Sequence, residues 1–238
     1  MALPRLNSGP KYQLTIPSSN QDISYRPFLM KEEKELLIAM ETKDNKTILN
    51  SLLSTIKACV EDQSKLNRLT PFDVEYMFLQ IRSKSVGETT TIGLNCKECE
   101  TLNSVDVKLD DINVTVPKID KILKLDDQVE LEVDYPTFTD IINSGMTEQT
   151  TEPSTEQLFK LIEFCFKSII TNDEKIILSE VPKSELHDFV DSMSGKQFSK
   201  IRNFIENIPK LSHEIKFECS KCKTENEQTV EGINNFLS

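Results

Sequence analysis

Apolar positions near the start of the chain change from a two-residue period to a helical period. Tyr12, Leu14 and Ile16 alternate with polar neighbours, turn-forming residues follow at 17–20, and apolar residues resume afterwards. This alternation around a turn predicts a β-hairpin. The apolar positions that come next recur at helical spacing, which predicts helices over 29–40 and 45–60.

The clearest helix start lies at Thr70. Thr70 is a good N-cap, Pro71 suits the first helical position, and Asp73 places an acidic group at the positive end of the helix dipole. Apolar residues follow at i, i+3, i+4 and i+7 from Val74. We predict a helix that ends near Ser85.

Two later segments, 88–110 and 211–231, share the pattern of a strand, a Cys-x-x-Cys pair and a second strand. Each predicts a hairpin with a cysteine knuckle at its tip. The segment between them predicts a mixed insertion over 111–210. Its expected strands lie at 112–116, 129–133 and 175–178, its expected loop at 144–156, and its expected helices at 158–169, 186–193 and 198–208.

The pattern as a whole predicts an α+β protein with a helical body and antiparallel β-hairpins. The expected organisation is an N-terminal hairpin with helices over 1–87, the two knuckle hairpins, and the insertion 111–210, all in one compact unit. A chain of 238 residues is long enough to bury a sizeable core in this arrangement.

The two knuckles indicate a metal site. Two facing Cys-x-x-Cys turns offer the tetrahedral set of four thiolates that zinc prefers. The predicted ligands of one structural zinc in a zinc-ribbon-like site are Cys96, Cys99, Cys219 and Cys222. Four protein ligands leave no open position for catalysis.

Other interpretations of these cysteines stay open. The turns could bind nothing, each could pair with a knuckle of a partner chain, or His213 could replace one ligand. A redox role is less favoured, because a thioredoxin-like pair opens a helix and these pairs are flanked by β-prone residues.

Charge and hydropathy restrict the class of partner. The chain has 28 basic and 39 acidic residues, a net charge of −11. This balance argues against binding to nucleic acid or to anionic membranes. No apolar run approaches the ~18 residues that span a bilayer, and the N-terminus lacks the apolar region of a secretory signal. We therefore expect a cytoplasmic chain with reduced thiols, which favours metal ligation over disulfides.

Catalytic motifs are absent from the sequence. It contains no P-loop, HExxH, GxSxG or GxGxxG pattern, and its two histidines supply few general bases near neutral pH. We expect no enzymatic activity and no small-molecule substrate.

Two clusters suggest contact with a partner. One is the junction 25–29, and the other is the helix 72–82, which is apolar on more than one face. Such a helix is either deeply buried or docks another molecule. Burial in the same domain is the preferred interpretation. The predicted partner-binding residues are Tyr25, Arg26, Phe28, Tyr76, Leu79 and Arg82.

These clusters also carry a resemblance. The segments 2–4 (ALP), 25–34 (YRPFLMKEEK) and 72–88 (FDVEYMFLQIRSKSVGE) resemble the baseplate hub proteins of T4-like tailed bacteriophages. The resemblance is close over 1–110 and vague beyond. In relatives of this type the last segment is likewise followed by a Cys-x-x-Cys pair.

The resemblance implies a non-enzymatic protein of contractile-tail assembly, needed to build the central hub of the baseplate. Its partners would be other hub and tail proteins. It would lie in the host cytoplasm during assembly and in the virion baseplate if it is retained. The alternatives are a transient hub assembly chaperone, absent from the mature virion, and a zinc-ribbon nucleic-acid-binding protein.

Overall fold

A computed structural model describes residues 9–144 and 155–233 of the chain. The chain divides into two compact units, the first formed by 1–116 with 210–238 and the second by 117–209. The sequence analysis expected one compact unit with an insertion over 111–210. The second unit, 117–209, lies within that expected insertion, and the short strand at 113–114 just before it belongs to the first unit.

Strands and helices follow one another along the chain in a mixed order. The elements are β1 (Tyr12–Ile16), β2 (Gln21–Tyr25), α1 (Met30–Glu41), α2 (Asn45–Cys59), α3 (Pro71–Ser85), β3 (Thr89–Asn95), β4 (Leu102–Lys108), β5 (Asn113–Val114), β6 (Ile122–Lys124), β7 (Val129–Val133), α4 (Phe138–Ser144), α5 (Thr155–Cys165), β8 (Phe166–Thr171), β9 (Lys175–Ile177), α6 (Lys183–Asp191), α7 (Gly195–Glu206), β10 (Leu211–Glu218) and β11 (Glu225–Glu231). The predicted α+β class with antiparallel sheets is confirmed.

Helix α3 forms the centre of the first unit. Its N-terminus is the predicted one, with Thr70 as N-cap, Pro71 in the first turn and a capping box closed by Asp73. Its buried side chains point in several directions around the helix: Phe72, Asp73, Val74, Met77, Phe78, Leu79, Ile81 and Ser83. The preferred interpretation of this helix as buried is therefore confirmed.

The first unit also contains three antiparallel sheets. β1 pairs with β2, β3 pairs with β4, and β10 pairs with both β11 and β5. Val114 in β5 lies opposite Leu211 in β10, so the chain leaves the first unit and returns to it on neighbouring strands.

The second unit is built on an antiparallel sheet in the order β6-β7-β8-β9. The expected helix over 158–169 is too long. Helix α5 ends at Cys165, and Phe166–Thr171 continues directly as β8, which pairs with β7 and β9. Helix α4 and strand β6 were not predicted. The expected loop 144–156 lies mostly outside the described residues.

Within the two described stretches of the chain, no helix combines the length and the apolar character that crossing a bilayer requires.

Candidate metal centre

The first knuckle forms where β3 turns into β4. The backbone N–H of Cys96 donates to the carbonyl of Thr101 at 2.9 Å, and the N–H of Glu100 donates to the carbonyl of Cys96 at 3.0 Å. Glu100 has a positive φ of 56°, which closes the turn tightly. These bonds direct both cysteine side chains to one side of the hairpin tip.

The second knuckle, between β10 and β11, repeats this geometry. The N–H of Cys219 donates to the carbonyl of Thr224 at 2.9 Å, and the N–H of Lys223 donates to the carbonyl of Cys219 at 3.0 Å. Lys223 has a φ of 61° and occupies the position that Glu100 has in the first knuckle. The two tips are therefore near copies of each other in backbone conformation.

The structure brings the four predicted cysteines together in the first unit. Their Sγ atoms all lie within 4.8 Å of one another. The Sγ of Cys96 is 3.6 Å from that of Cys222, and the Sγ of Cys99 is 3.6 Å from that of Cys219. Zinc–sulfur bonds of about 2.3 Å in a tetrahedron place neighbouring sulfurs about 3.8 Å apart. The cluster is compatible with a metal site.

Hydrogen bonds within the knuckles favour the thiolate form of the first cysteine of each pair, Cys96 and Cys219. The N–H of Cys99 holds the pKa of Cys96 below its usual value. The N–H of Cys222 lowers the pKa of Cys219 to about 6, despite the opposing effect of burial. At Cys222 the hydrogen bonds with Thr224 lower the pKa, but the neighbouring sulfurs of Cys99 and Cys219 and burial outweigh them and raise it. A cysteine such as Cys219, whose thiolate is already favoured at neutral pH, releases fewer protons when a metal binds.

Two buried asparagines beside the knuckles were missed by the sequence analysis. Asn103 and Asn226 are 6% and 4% exposed, and each follows the second cysteine of its knuckle by four residues. The signal was present in the sequence, because both knuckles read Cys-x-x-Cys-x-Thr-x-Asn.

His213, the alternative ligand, and the two remaining cysteines lie outside this cluster. His213 is paired with Val230 in the body of the β10–β11 ladder and is not part of the metal-compatible group. Cys59 and Cys165 are buried thiols, and burial raises their pKa values to about 11 and about 12. Both behave as small core residues, as expected from the apolar helix faces that carry them.

Comparison with protein families decides the class of the chain. Residues 9–238 match the family described as T4 bacteriophage base plate protein. The chain belongs to this family. The match extends far beyond the segments 25–34 and 72–88 that first suggested it, and it includes both knuckles. The comparisons with curated proteins and with solved structures give no match.

The residues predicted to bind a partner of this baseplate protein differ in exposure. Tyr25 and Leu79 are core residues, 2% and 0% exposed, so neither presents a surface in the folded chain. Arg26 donates to Glu32 Oε1 at 2.8 Å and to the carbonyl of Ala58 at 2.9 Å. The remaining three, Phe28, Tyr76 and Arg82, are half-buried.

A more exposed apolar surface lies on α1. Met30, Leu37, Ile38 and Met40 are 73%, 54%, 51% and 46% exposed. The opposite side of α1 buries Leu36 and Ala39. We call these four exposed residues the α1 outer face. The sequence pattern predicted a helix over 29–40 but did not distinguish its exposed side from its buried side.

Proposed function

We propose that this baseplate protein is a structural or assembly component of the baseplate hub of a contractile phage tail. It acts through protein–protein contacts and performs no catalysis. The observation that carries the proposal is the family match over residues 9–238, joined to the resemblance of 25–34 and 72–88 to hub proteins. The net charge of −11 disfavours a nucleic-acid-binding role.

The direct test compares purified phage particles with assembly intermediates. Mass spectrometry of intact virions should detect this chain if it is a retained hub subunit. Its presence in hub intermediates but absence from virions would indicate a transient assembly chaperone. Normal tails from a phage that lacks the gene, together with no association with hub or tail proteins, would contradict the proposal.

We further propose that the four cysteines hold one structural Zn²⁺ in a zinc-ribbon-like site. The cluster provides four sulfur ligands, which would fill the tetrahedral coordination of Zn²⁺, and the metal would join β3–β4 to β10–β11. The support is the spacing of the sulfurs together with the matched knuckle backbones.

Metal analysis tests the zinc site directly. Elemental analysis of the purified chain should give about one zinc per molecule. Cys96→Ser and Cys219→Ser should both lower that content, because the two knuckles share the ion. Loss of metal after changing only one knuckle, a content of two zincs, or none would contradict a shared site.

The α1 outer face is the surface that we propose contacts another protein of the same tail. Four apolar side chains exposed together on one helix are unusual for a surface that stays in water. Burial of this surface against an apolar patch of a neighbouring tail protein would stabilise the assembly through the hydrophobic effect.

A charge placed on this face should separate folding from assembly. Leu37→Asp should leave the thermal unfolding of the isolated chain nearly unchanged but reduce its co-purification with tail proteins. Asn50→Asp, which adds the same charge at an exposed position of α2, is the matched control. Equal recovery of partners with both variants would exclude the α1 outer face as a contact.

A further inference from the structure

The two knuckles share more than their cysteines. Each second cysteine is followed at the same spacing by a threonine and an asparagine, Thr101 and Asn103 in the first knuckle and Thr224 and Asn226 in the second. Corresponding positions are separated by 123 residues, as Cys99 and Cys222 are. The repeat makes the two asparagines equivalent, so a contact made by one can be checked against the other.

Each asparagine reaches across to the opposite knuckle. The Oδ1 of Asn103 accepts a hydrogen bond from the backbone N–H of Ser220 at 2.9 Å. The Oδ1 of Asn226 accepts one from the N–H of Lys97, also at 2.9 Å. Ser220 and Lys97 follow the first cysteine of their knuckles, so the crossed bonds fix each knuckle at the point where its first ligand emerges.

The amide nitrogens of the same side chains face the sulfurs. The Nδ2 of Asn226 donates to Cys96 Sγ at 3.5 Å, and the Nδ2 of Asn103 donates to Cys219 Sγ at 3.8 Å. Each Nδ2 also donates to a carbonyl in its own knuckle, that of Thr101 at 2.7 Å or of Thr224 at 2.9 Å. Hydrogen bonds to the Oδ1 and from the Nδ2 of each asparagine thus orient the Nδ2 towards the sulfur.

We infer that Asn103 and Asn226 are reciprocal positioning residues of the metal centre. Each holds the opposite knuckle in ligand geometry and donates an N–H to the buried first cysteine of that knuckle. This inference rests on the proposed zinc site. Four thiolates around Zn²⁺ carry excess negative charge, and the two most buried sulfurs, on Cys96 and Cys219, cannot be solvated by water. The amide N–H groups supply hydrogen bonds there instead.

Substitution by aspartate tests the N–H donor of each asparagine separately from its acceptor oxygen. Asn103→Asp and Asn226→Asp keep the oxygen that accepts the backbone N–H but replace the N–H donor with a second oxygen facing a sulfur. Asn95→Asp makes the same change at an exposed position directly before Cys96 and serves as the control. Asn103→Ala and Asn226→Ala, which add no charge, replace the aspartate variants if these fail to fold.

Zinc affinity and cobalt spectra of the full chain provide the readouts. Competition with a chromophoric chelator should show a loss of Zn²⁺ affinity of about 10- to 100-fold for Asn103→Asp and for Asn226→Asp. With Co²⁺ as probe, the sulfur-to-cobalt charge-transfer band of both variants should move to lower energy, because their thiolates have lost a hydrogen-bond donor. Asn95→Asp should match the unsubstituted chain in both measurements.

The outcomes separate this inference from the zinc site on which it rests. If the unsubstituted chain binds zinc tightly and both aspartate variants match it in affinity and in cobalt spectrum, the asparagines do not position the site and the zinc site remains. If the unsubstituted chain binds zinc no better than Cys96→Ser, the zinc site itself is wrong and this inference falls with it.

Discussion

Asp73 shows how a single polar residue organises the N-terminal part of the protein. It is fully buried, yet it accepts four hydrogen bonds. Two come from the backbone N–H groups of Ser18 and Thr70, at 2.9 and 2.8 Å, and two from the hydroxyls of the same residues, at 2.6 and 2.7 Å. Asp73 thereby joins the turn of the first hairpin to the start of α3.

Removal of the Asp73 carboxylate should lower the stability of the folded protein. Asp73→Ala leaves the N–H groups and hydroxyls of buried Thr70 and half-buried Ser18 without their acceptor, and we expect the free energy of unfolding to fall by about 3 kcal/mol. Urea denaturation measures the change. Asp22→Ala, which removes an exposed carboxylate that accepts from Thr15, should change the stability by less than about 0.5 kcal/mol. Similar losses in the two variants would show that the Asp73 network adds little.

Glu32 should make stability depend on pH. Burial alone would raise its pKa, but hydrogen bonds from Arg26, from the N–H of Leu29 and from Lys31 more than offset this and hold the pKa below 4.5. A group whose pKa is lower in the folded state stabilises the protein above its unfolded pKa. Its contribution is lost as the pH falls through the folded pKa.

Glu32→Gln tests this linkage. At pH 7 the variant should be less stable by about 1–3 kcal/mol. The difference from the unsubstituted chain should shrink as the pH is lowered from about 5 towards 3. Denaturant unfolding across that range measures it, with the exposed Glu35→Gln on the same helix as the control. A difference that stays constant with pH would exclude this role for Glu32.

At the scale of single elements, the tight knuckle turns have a strained position. Glu100 adopts the left-handed region at φ 56°, which side chains other than glycine disfavour. Glu100→Gly should therefore stabilise the protein by up to about 1 kcal/mol, and Glu100→Val should destabilise it by about 1–2 kcal/mol. Thermal unfolding with zinc present measures both. Glu98→Gly, in the same turn at an ordinary φ, should give no gain, and a gain equal to that of Glu100→Gly would contradict the argument.

Individual elements could be predicted where residues close to them in sequence mark where they begin and end. Helix α3 was predicted to within its boundaries because Thr70, Pro71 and Asp73 mark its start independently of any tertiary contact. The boundary between α5 and β8, in contrast, was not predicted. Phe166 and Ile169 continue the helical spacing, while the β-branched run 169–171 suits a strand. The segment forms a strand because it pairs with both β7 and β9, and these long-range pairings cannot be predicted from the local sequence.

At the scale of the whole molecule, the sequence predicted the meeting of the two knuckles but not the contacts around it. Matched Cys-x-x-Cys pairs limit the geometry so strongly that a distant pairing could be inferred from four residues. The asparagines that cross between the knuckles depend on the relative orientation of two hairpins, which spacing alone does not determine. The second unit, 117–209, lies within the insertion expected over 111–210, but its exact limits are defined by contacts and not by a change in composition.

The path of the chain between the two units leads to a prediction about the first unit. Val114 and Leu211 are directly opposite in an antiparallel pair. Adjacent strands of a sheet lie about 5 Å apart, so a short linker can replace the whole segment 117–209. With Gly-Ser-Gly in its place, only a short loop would join β5 to β10, within the range that hairpins commonly use.

The shortened chain should fold cooperatively and bind about one zinc per molecule, since all four cysteines and α3 belong to the first unit. Its loop also restricts the unfolded chain more than the long segment does, which favours folding slightly. Circular dichroism through a thermal unfolding transition, together with metal analysis, measures both properties. The same shortened chain carrying Cys96→Ser should unfold at a lower temperature. A broad, non-cooperative transition with zinc present would show that the first unit requires the second in order to fold.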